Sequence, residues 1–327
     1  MPPESSERGS FHPVSEKVAI VGAGRVGSTY AYTLLLNETV GQIALIDIDI
    51  ERAKGEAMDL SHSAPLASPV NVCAGSYEEC ADADIVMIAA GVSQREGESR
   101  LDLLKRNADV FGKIVPRVVR ANPDAILLVA TNPVDVMSYV AWRLSGLPAD
   151  RVIGSGTVLD TARLRHLLSQ HLRVDPRNVH AYVIGEHGES EVAVWSRTSV
   201  AGIPLEHYCK AAACSVADPV RDRIETDTRN AGHEIIVRKG ATYYAVSAAL
   251  RAITKSVLLD QRSILPVSAR ATEAYGLGEI YLSLPSVVGR RGILRTLHLP
   301  LSDAEDAALR RSADVLRRAL AGMGYSV

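Results

Sequence analysis

Short, almost wholly apolar runs alternate with longer segments of helical period through the first half of the chain. Lys17–Val21, Gln42–Ile46, Val70–Ala74, Ile85–Ala90, Ala125–Ala130 and Val152–Ile153 read as strands buried on both faces. Between them, helices are predicted from Gly27 through Tyr30 and Leu34 to Leu36, over Glu51–Ser63, over Leu101–Arg120 and over Asp135–Leu144. The long third helix has apolar positions at Leu104, Ala108, Phe111, Val115 and Val118, and Pro116 is expected to kink it or split it in two. Strands alternating with helices predict an α/β fold with a doubly wound parallel sheet.

After Gly154-Ser155-Gly156 the pattern changes. A helix over Leu159–His171 is followed by paired β patterns at Val179–Ile184 and Glu191–Val200. Helices are then predicted over Asp218–Lys239, with Asp218 as N-cap and Pro219 at the first helical position, and over Thr242–Leu259. Ile264–Ala271, Ile280–Val288 and Gly292–Leu297 read as strands, and Asp303–Ala321 as a closing helix whose apolar face holds Leu309, Val315, Leu316 and Leu320. This half reads as an α+β substrate domain placed on the sheet. The expected division is residues 1–16 as a disordered, Pro-, Ser- and Glu-rich extension, 17–156 as a nucleotide-binding domain and 157–327 as a catalytic domain.

Composition narrows the function. A net charge of −2 over 327 residues argues against nucleic acid or an anionic membrane as the main partner. Cys73, Cys80, Cys209 and Cys214 show neither a Cys-x-x-Cys pair nor a His at ligand spacing, so structural thiols in a reducing cytosol and no metal site are expected. No signal-peptide core and no apolar run long enough to span a bilayer is present, and a cytoplasmic location is expected.

The first strand ends in Gly22-Ala23-Gly24-Arg25-Val26-Gly27. A strand, a glycine-rich turn and a helix are the context of a Rossmann dinucleotide fingerprint, in which Gly22 turns the chain, Gly24 admits a pyrophosphate and Gly27 lets helix and strand pack. Alone this motif equally fits a tight turn without a ligand. Asp47, closing the second strand, decides for the nucleotide: a carboxylate there accepts the ribose hydroxyls and repels a 2′-phosphate, which selects NAD over NADP.

Three polar segments carry candidate chemistry. Gly91-Val92-Ser93-Gln94-Arg95-Glu96-Gly97-Glu98-Ser99-Arg100 follows a strand at the end where such sheets bind ligands, and reads as a loop able to close over a small anion. In the helix near 160, a three-residue step of about 300° puts Asp160 and Arg163 on one face, while Arg165 points the other way. Gly185-Glu186-His187-Gly188 presents a His in a glycine-flanked loop, where close approach of a flat nicotinamide ring is possible. A His donates a proton near neutral pH, a carboxylate on its far nitrogen orients it, and an Arg fork suits a planar carboxylate. Together beside a nucleotide shelf these groups point to hydride transfer on a 2-oxo acid.

These segments, with Thr131-Asn132-Pro133-Val134-Asp135 and Gly156-Thr157-Val158-Leu159-Asp160-Thr161-Ala162-Arg163, occur in an order that resembles the bacterial L-lactate dehydrogenases of the lactate/malate dehydrogenase family, from Lys17 to the C-terminus. The resemblance implies that His187, paired with Asp160, exchanges the proton between pyruvate and lactate. It implies that Arg163 holds the substrate carboxylate, Arg100 polarises the carbonyl, Asn132 bonds near the same centre, Thr242 lines the pocket and Gln94 reads the substrate side chain. The implied NAD contacts are Gly22, Gly24, Val26, Gly27, Asp47, Gly91 and Asn132. Malate dehydrogenases carry Arg where this chain has Gln94, and a second substrate carboxylate left there without a counter-charge would cost about 3–5 kcal/mol. A non-catalytic NAD-binding protein would be expected to lack part of the His187, Asp160, Arg163 and Arg100 set. The resemblance further implies a homotetramer activated by fructose 1,6-bisphosphate bound at Arg165 and His180.

Overall fold

The computed structural model describes residues 16–67, 69–92, 97–271 and 275–326. Six parallel strands and four helices alternate first: β1 Lys17–Val21, α1 Arg25–Leu36, β2 Gln42–Ile46, α2 Ile50–Ser63, β3 Asn71–Gly75, β4 Ile85–Ile88, α3 Arg100–Ala121, β5 Ile126–Val129, α4 Val134–Ser145 and β6 Val152–Gly154. The strands of this half lie in the order β6-β5-β4-β1-β2-β3, the doubly wound order that places ligands at the carboxyl ends of β1 and β4. Then come α5 Val158–Leu172, β7 Val179–His180, β8 Val183–Ile184, β9 Val192–Ala193, β10 Ser199–Val200, β11 Ile203–Pro204, α6 Leu205–Ala211, α7 Asp218–Lys239 and α8 Tyr244–Leu258. β12 Ser263–Arg270, β13 Tyr281–Gly289, β14 Gly292–Thr296 and α9 Asp303–Gly322 end the chain.

The uninterrupted apolar runs follow from burial on both faces. In each parallel strand alternate residues enter opposite cores: Ala19, Val21, Val86, Ile88, Leu127 and Val129 pack on the side of α3, α4 and α9. Val18, Ile20, Ile85, Met87 and Leu128 pack on the side of α1 and α8. On that second side a buried hydrogen bond of 2.5 Å joins Tyr30 of α1 to Thr254 of α8, tying the nucleotide-shelf helix to the second half of the chain.

The second half does not keep a large sheet of its own. β12, β13 and β14 extend the first sheet antiparallel beyond β6, giving nine strands in all among the described residues. Nor is Val179–Ile184 one strand: β7 pairs with β10 and β8 with β9, in two separate small sheets. Glu191–Val200 is likewise broken, by a helical turn at Trp195–Arg197. Pro116 does not divide α3: it and Gly112, whose carbonyl loses its helical partner, both lie on the exposed face, where that carbonyl is open to solvent. In α7 the N-cap is Ala217, so Asp218 is the first helical residue and Pro219 stands one position later than expected.

Phe111 is fully buried where α3 packs on the sheet. Phe111→Ala should therefore lower stability by about 3–5 kcal/mol, measured as a fall in the urea midpoint of unfolding.

Candidate active site

Two glycines with no freedom to change build the nucleotide shelf. Gly22 sits at φ +109°, and a Cβ there would stand 2.6 Å from the Ala90 amide nitrogen. At Gly27 a Cβ would fall 1.9 Å from the Gly22 carbonyl oxygen, so α1 can start only against a glycine turn. Around Gly24, by contrast, nothing lies within 4 Å of the same construction. Gly24 is the N-cap without a side-chain hydrogen bond, which leaves the first-turn amides of α1 directed at an open face. Asp47 closes β2 beside this turn: its carboxylate accepts from Ala23 N at 2.7 Å and from Asp49 N at 3.0 Å. Capping of α2 falls instead to Asp49, which accepts from Arg52 N at 3.1 Å. Asp47 is thus not consumed as a helix cap.

Across the sheet end lies the acid–base group. Asp160, 1% exposed in α5, is shared by two cations or potential cations: Oδ2 meets His187 Nδ1 at 2.5 Å and Oδ1 accepts from Arg163 at 2.8 Å. The three-residue helical step accounts for the second contact and a loop return for the first. The His187 side chain is 26% exposed and that of Arg163 14%, so each keeps part of its surface open to a ligand. One Arg163 nitrogen is engaged by Asp160. The other stands 3.8 Å from the position a Cβ on Gly232 of α7 would take, so α7 forms the wall beside the guanidinium.

The loop bearing His187 is shaped by its neighbours rather than by its own flexibility. Gly185, at φ +90°, bridges Ser283 of β13 in both directions at 2.9 Å, and a Cβ there would meet Ser312 Oγ at 2.7 Å. Packing, not ring approach, explains this glycine. Asn132 is exposed, immediately before a cis peptide bond to Pro133. Gly91 backs onto Thr131, and Thr242 is half-buried in the turn between α7 and α8. Gln94 and its neighbour Arg95 lie outside the described residues, as does the side chain of Arg100 at the start of α3.

The model of the lactate/malate dehydrogenase NAD binding domain matches residues 16–154, and that of the family's alpha/beta C-terminal domain matches residues 157–323. The chain belongs to the lactate/malate dehydrogenase family. An L-lactate dehydrogenase of Acetivibrio thermocellus is 51% identical over 304 residues, 93% of this chain and 96% of that one. That of Thermus aquaticus is 49% identical over 309 residues, 94% of this chain and all of that one. Among solved structures, the minor L-lactate dehydrogenase of Enterococcus mundtii superposes with a TM-score of 0.91 at 41% identity, covering 94% of this chain and 98% of that one. A lactate dehydrogenase from a Medee basin deep-sea metagenome library gives 0.92 at 42% identity, covering 95% and 100%.

The protein is accordingly an NAD-dependent dehydrogenase of this family, and the open first turn of α1 with Asp47 held beside it by the Ala23 amide fits that cofactor. Among the described residues no helix is long and apolar enough to cross a membrane. Arg165 donates to the Ala181 carbonyl at 3.0 Å and lies over the Tyr182 ring at 5.5 Å, while His180 is exposed on β7.

Three polar residues that sequence reasoning did not single out complete the site. Asn107, 1% exposed in α3, accepts from Val92 N at 2.9 Å and donates to the Asn132 carbonyl at 3.3 Å, pinning the base of the Gly91 loop to the Asn132 turn. Its sequence signal is a polar residue on the apolar face shared by Leu104 and Phe111. Asp135 accepts from the His187 backbone N–H at 2.7 Å. Glu191, 8% exposed, lies close enough to feel Asp160, His187, Arg163 and Arg229.

Burial of the His187 ring opposes its protonation, but Asp160, the hydrogen bond to it, Asp135 and Glu191 outweigh that and raise its pKa from 6.5 to about 9. Asp160 is held low: burial pushes it up, and His187 and Arg163 more than reverse this. A His whose proton affinity rises on folding stabilises the fold fully below its unfolded value and ceases to do so as pH rises through its folded value. The melting temperature of the wild type should therefore fall more steeply between pH 6.5 and about 9 than that of His187→Gln, as read by calorimetry across that window.

Proposed function

We propose that the protein is an L-lactate dehydrogenase, interconverting pyruvate and L-lactate with NADH and NAD+. The observation that carries this reading is the single buried carboxylate of Asp160 that orients a proton donor and an anion-binding fork into one cleft beside the nucleotide shelf. When bound, the nicotinamide supplies or accepts the hydride. His187, with Nδ1 engaged by Asp160, carries its exchangeable proton on Nε2 and gives it to the carbonyl oxygen of pyruvate, or takes it from the hydroxyl of lactate. Arg163 binds the substrate carboxylate with the edge that Asp160 leaves free. Arg100 polarises the carbonyl, Asn132 bonds the same oxygen's surroundings, and Thr242 lines the pocket.

Gln94 selects pyruvate over oxaloacetate, because an uncharged amide offers nothing to a second carboxylate desolvated in a closed site. The half containing residues 17–156 holds NAD through Gly22, Gly24, Val26, Gly27, Asp47, Gly91 and Asn132, and residues 157–327 hold the substrate. The same reading places the enzyme in the cytoplasm as a homotetramer. Arg165, fixed by the Ala181 carbonyl and Tyr182, and His180, exposed nearby on β7, form the fructose 1,6-bisphosphate site. In a two-fold interface such cations repel until a bisphosphate neutralises them.

Initial rates of NADH oxidation with pyruvate and with oxaloacetate, each with and without fructose 1,6-bisphosphate, test these statements. A strong pyruvate preference that the bisphosphate sharpens is expected. Preference for oxaloacetate would overturn the role of Gln94, and indifference to the bisphosphate in rate and oligomer size would remove the control site. Arg163→Lys should lower kcat/KM for pyruvate about a hundredfold, since one ammonium cannot serve Asp160 and a planar carboxylate together.

A further inference from the structure

The Gly185–His187 loop is tethered at three successive residues. Gly185 pairs with the Ser283 backbone, Glu186 N donates to Ser312 Oγ at 2.7 Å, and His187 N donates to Asp135 Oδ2 at 2.7 Å. Only the last tether is an ionisable side chain. Asp135 is 1% exposed in the first turn of α4, three residues after Asn132, and its other oxygen faces the Ser283 hydroxyl at 3.4 Å. An acidic residue in a first turn ordinarily serves its own helix. Here the donors come from β13 and from the loop of His187.

We propose that Asp135 is a positioning residue for hydride transfer: its carboxylate fixes the backbone of His187 at a set distance from the Asn132 turn and supplies a second negative charge facing the ring. This rests on the lactate dehydrogenase reading for its reaction. A dry carboxylate is expensive to keep, so one retained opposite the proton donor needs an interaction that a neutral residue would not give. Burial pushes the Asp135 carboxyl up to about 6, against the pull of the Ser268 hydroxyl, the His187 N–H and the His187 charge, so it is ionised on the alkaline limb. The other charges facing His187 are Asp160 from α5 and Glu191 from its own loop, with Arg163 and Arg229 next to these and Glu186 next to Asp135. Burial and Asp160 push the Glu191 carboxyl up, while His187, Arg229 and Arg163 pull it down.

The geometry separates two functions of one side chain, and two substitutions separate them in turn. Asp135→Asn keeps an oxygen acceptor for the His187 N–H and removes the charge. Asp135→Ala removes both. The alkaline limb of the pH profile for pyruvate reduction should move down by roughly one unit in Asp135→Asn, because an anion that favoured the imidazolium is gone. In Asp135→Ala kcat should fall about a hundredfold, as a proton donor displaced by a fraction of an ångström does, with KM for pyruvate and Kd for NADH moving little beside it. Asp135→Asn should recover most of that kcat. The proposal is overturned if the Asp135→Asn limb superimposes on the wild type, if both variants lose kcat equally, or if Asp135→Asn no longer binds NADH, which would make the carboxylate a prop of the fold alone. Failure of the wild type to reduce pyruvate would overturn the substrate reading only. The titration of the His187 ring, followed by NMR of histidine-labelled protein and assigned with His187→Asn, would then decide on Asp135 by the same downward shift.

Discussion

One buried carboxylate governs the site. Asp160 cannot be solvated, so it is tolerable only while both of its oxygens are engaged, and the two partners it takes are the proton donor and the anion receptor. The distance between the group that protonates and the group that holds the substrate is thereby set by the width of a single carboxyl. Neither His187 nor Arg163 can drift without stranding a charge. This makes α5 a rigid gauge, and it is why the residue leading into that helix, Thr157, is itself fully buried and bonded to the Val183 carbonyl at 2.5 Å.

Around that gauge the structure uses neutral polar groups to locate backbone and charged ones to locate chemistry. Asn107 joins two loops through one amide, Ser312 holds Glu186, and Thr161 accepts from Val183 N at 2.9 Å. Each is buried or nearly so, and each satisfies a main-chain group that a loop at a sheet end would otherwise leave unpaired. Asp135 differs from these three because an anion does the work that an asparagine, a serine and a threonine do in them.

The parallel half was legible in the sequence because its signals are local. β1, α1 and β2 each carry their own period, and the glycine turn and Asp47 lie within one supersecondary unit. Asp160 and Arg163 were legible for the same reason, being one helical turn apart. What was not legible is non-local. Nothing in Ser263–Arg270 says that it will pair with β6 rather than found a new sheet, and Val179–Ile184 breaks because its two ends answer to different partners. Asn107, Asp135 and Glu191 were passed over inside apolar or motif patterns, where a single polar residue reads as an interruption until its partner is known.

The shared sheet also bears on how the chain is made. β6 pairs with β5 on one side and with β12 on the other, and more than a hundred positions of sequence separate β6 from β12. During synthesis the parallel half can therefore assemble with one interior edge bare, its unpaired amides and carbonyls waiting for strands that have not yet left the ribosome. That interval is the point at which a nascent copy is most exposed to pairing with another chain, and it closes only when β12 and β13 arrive.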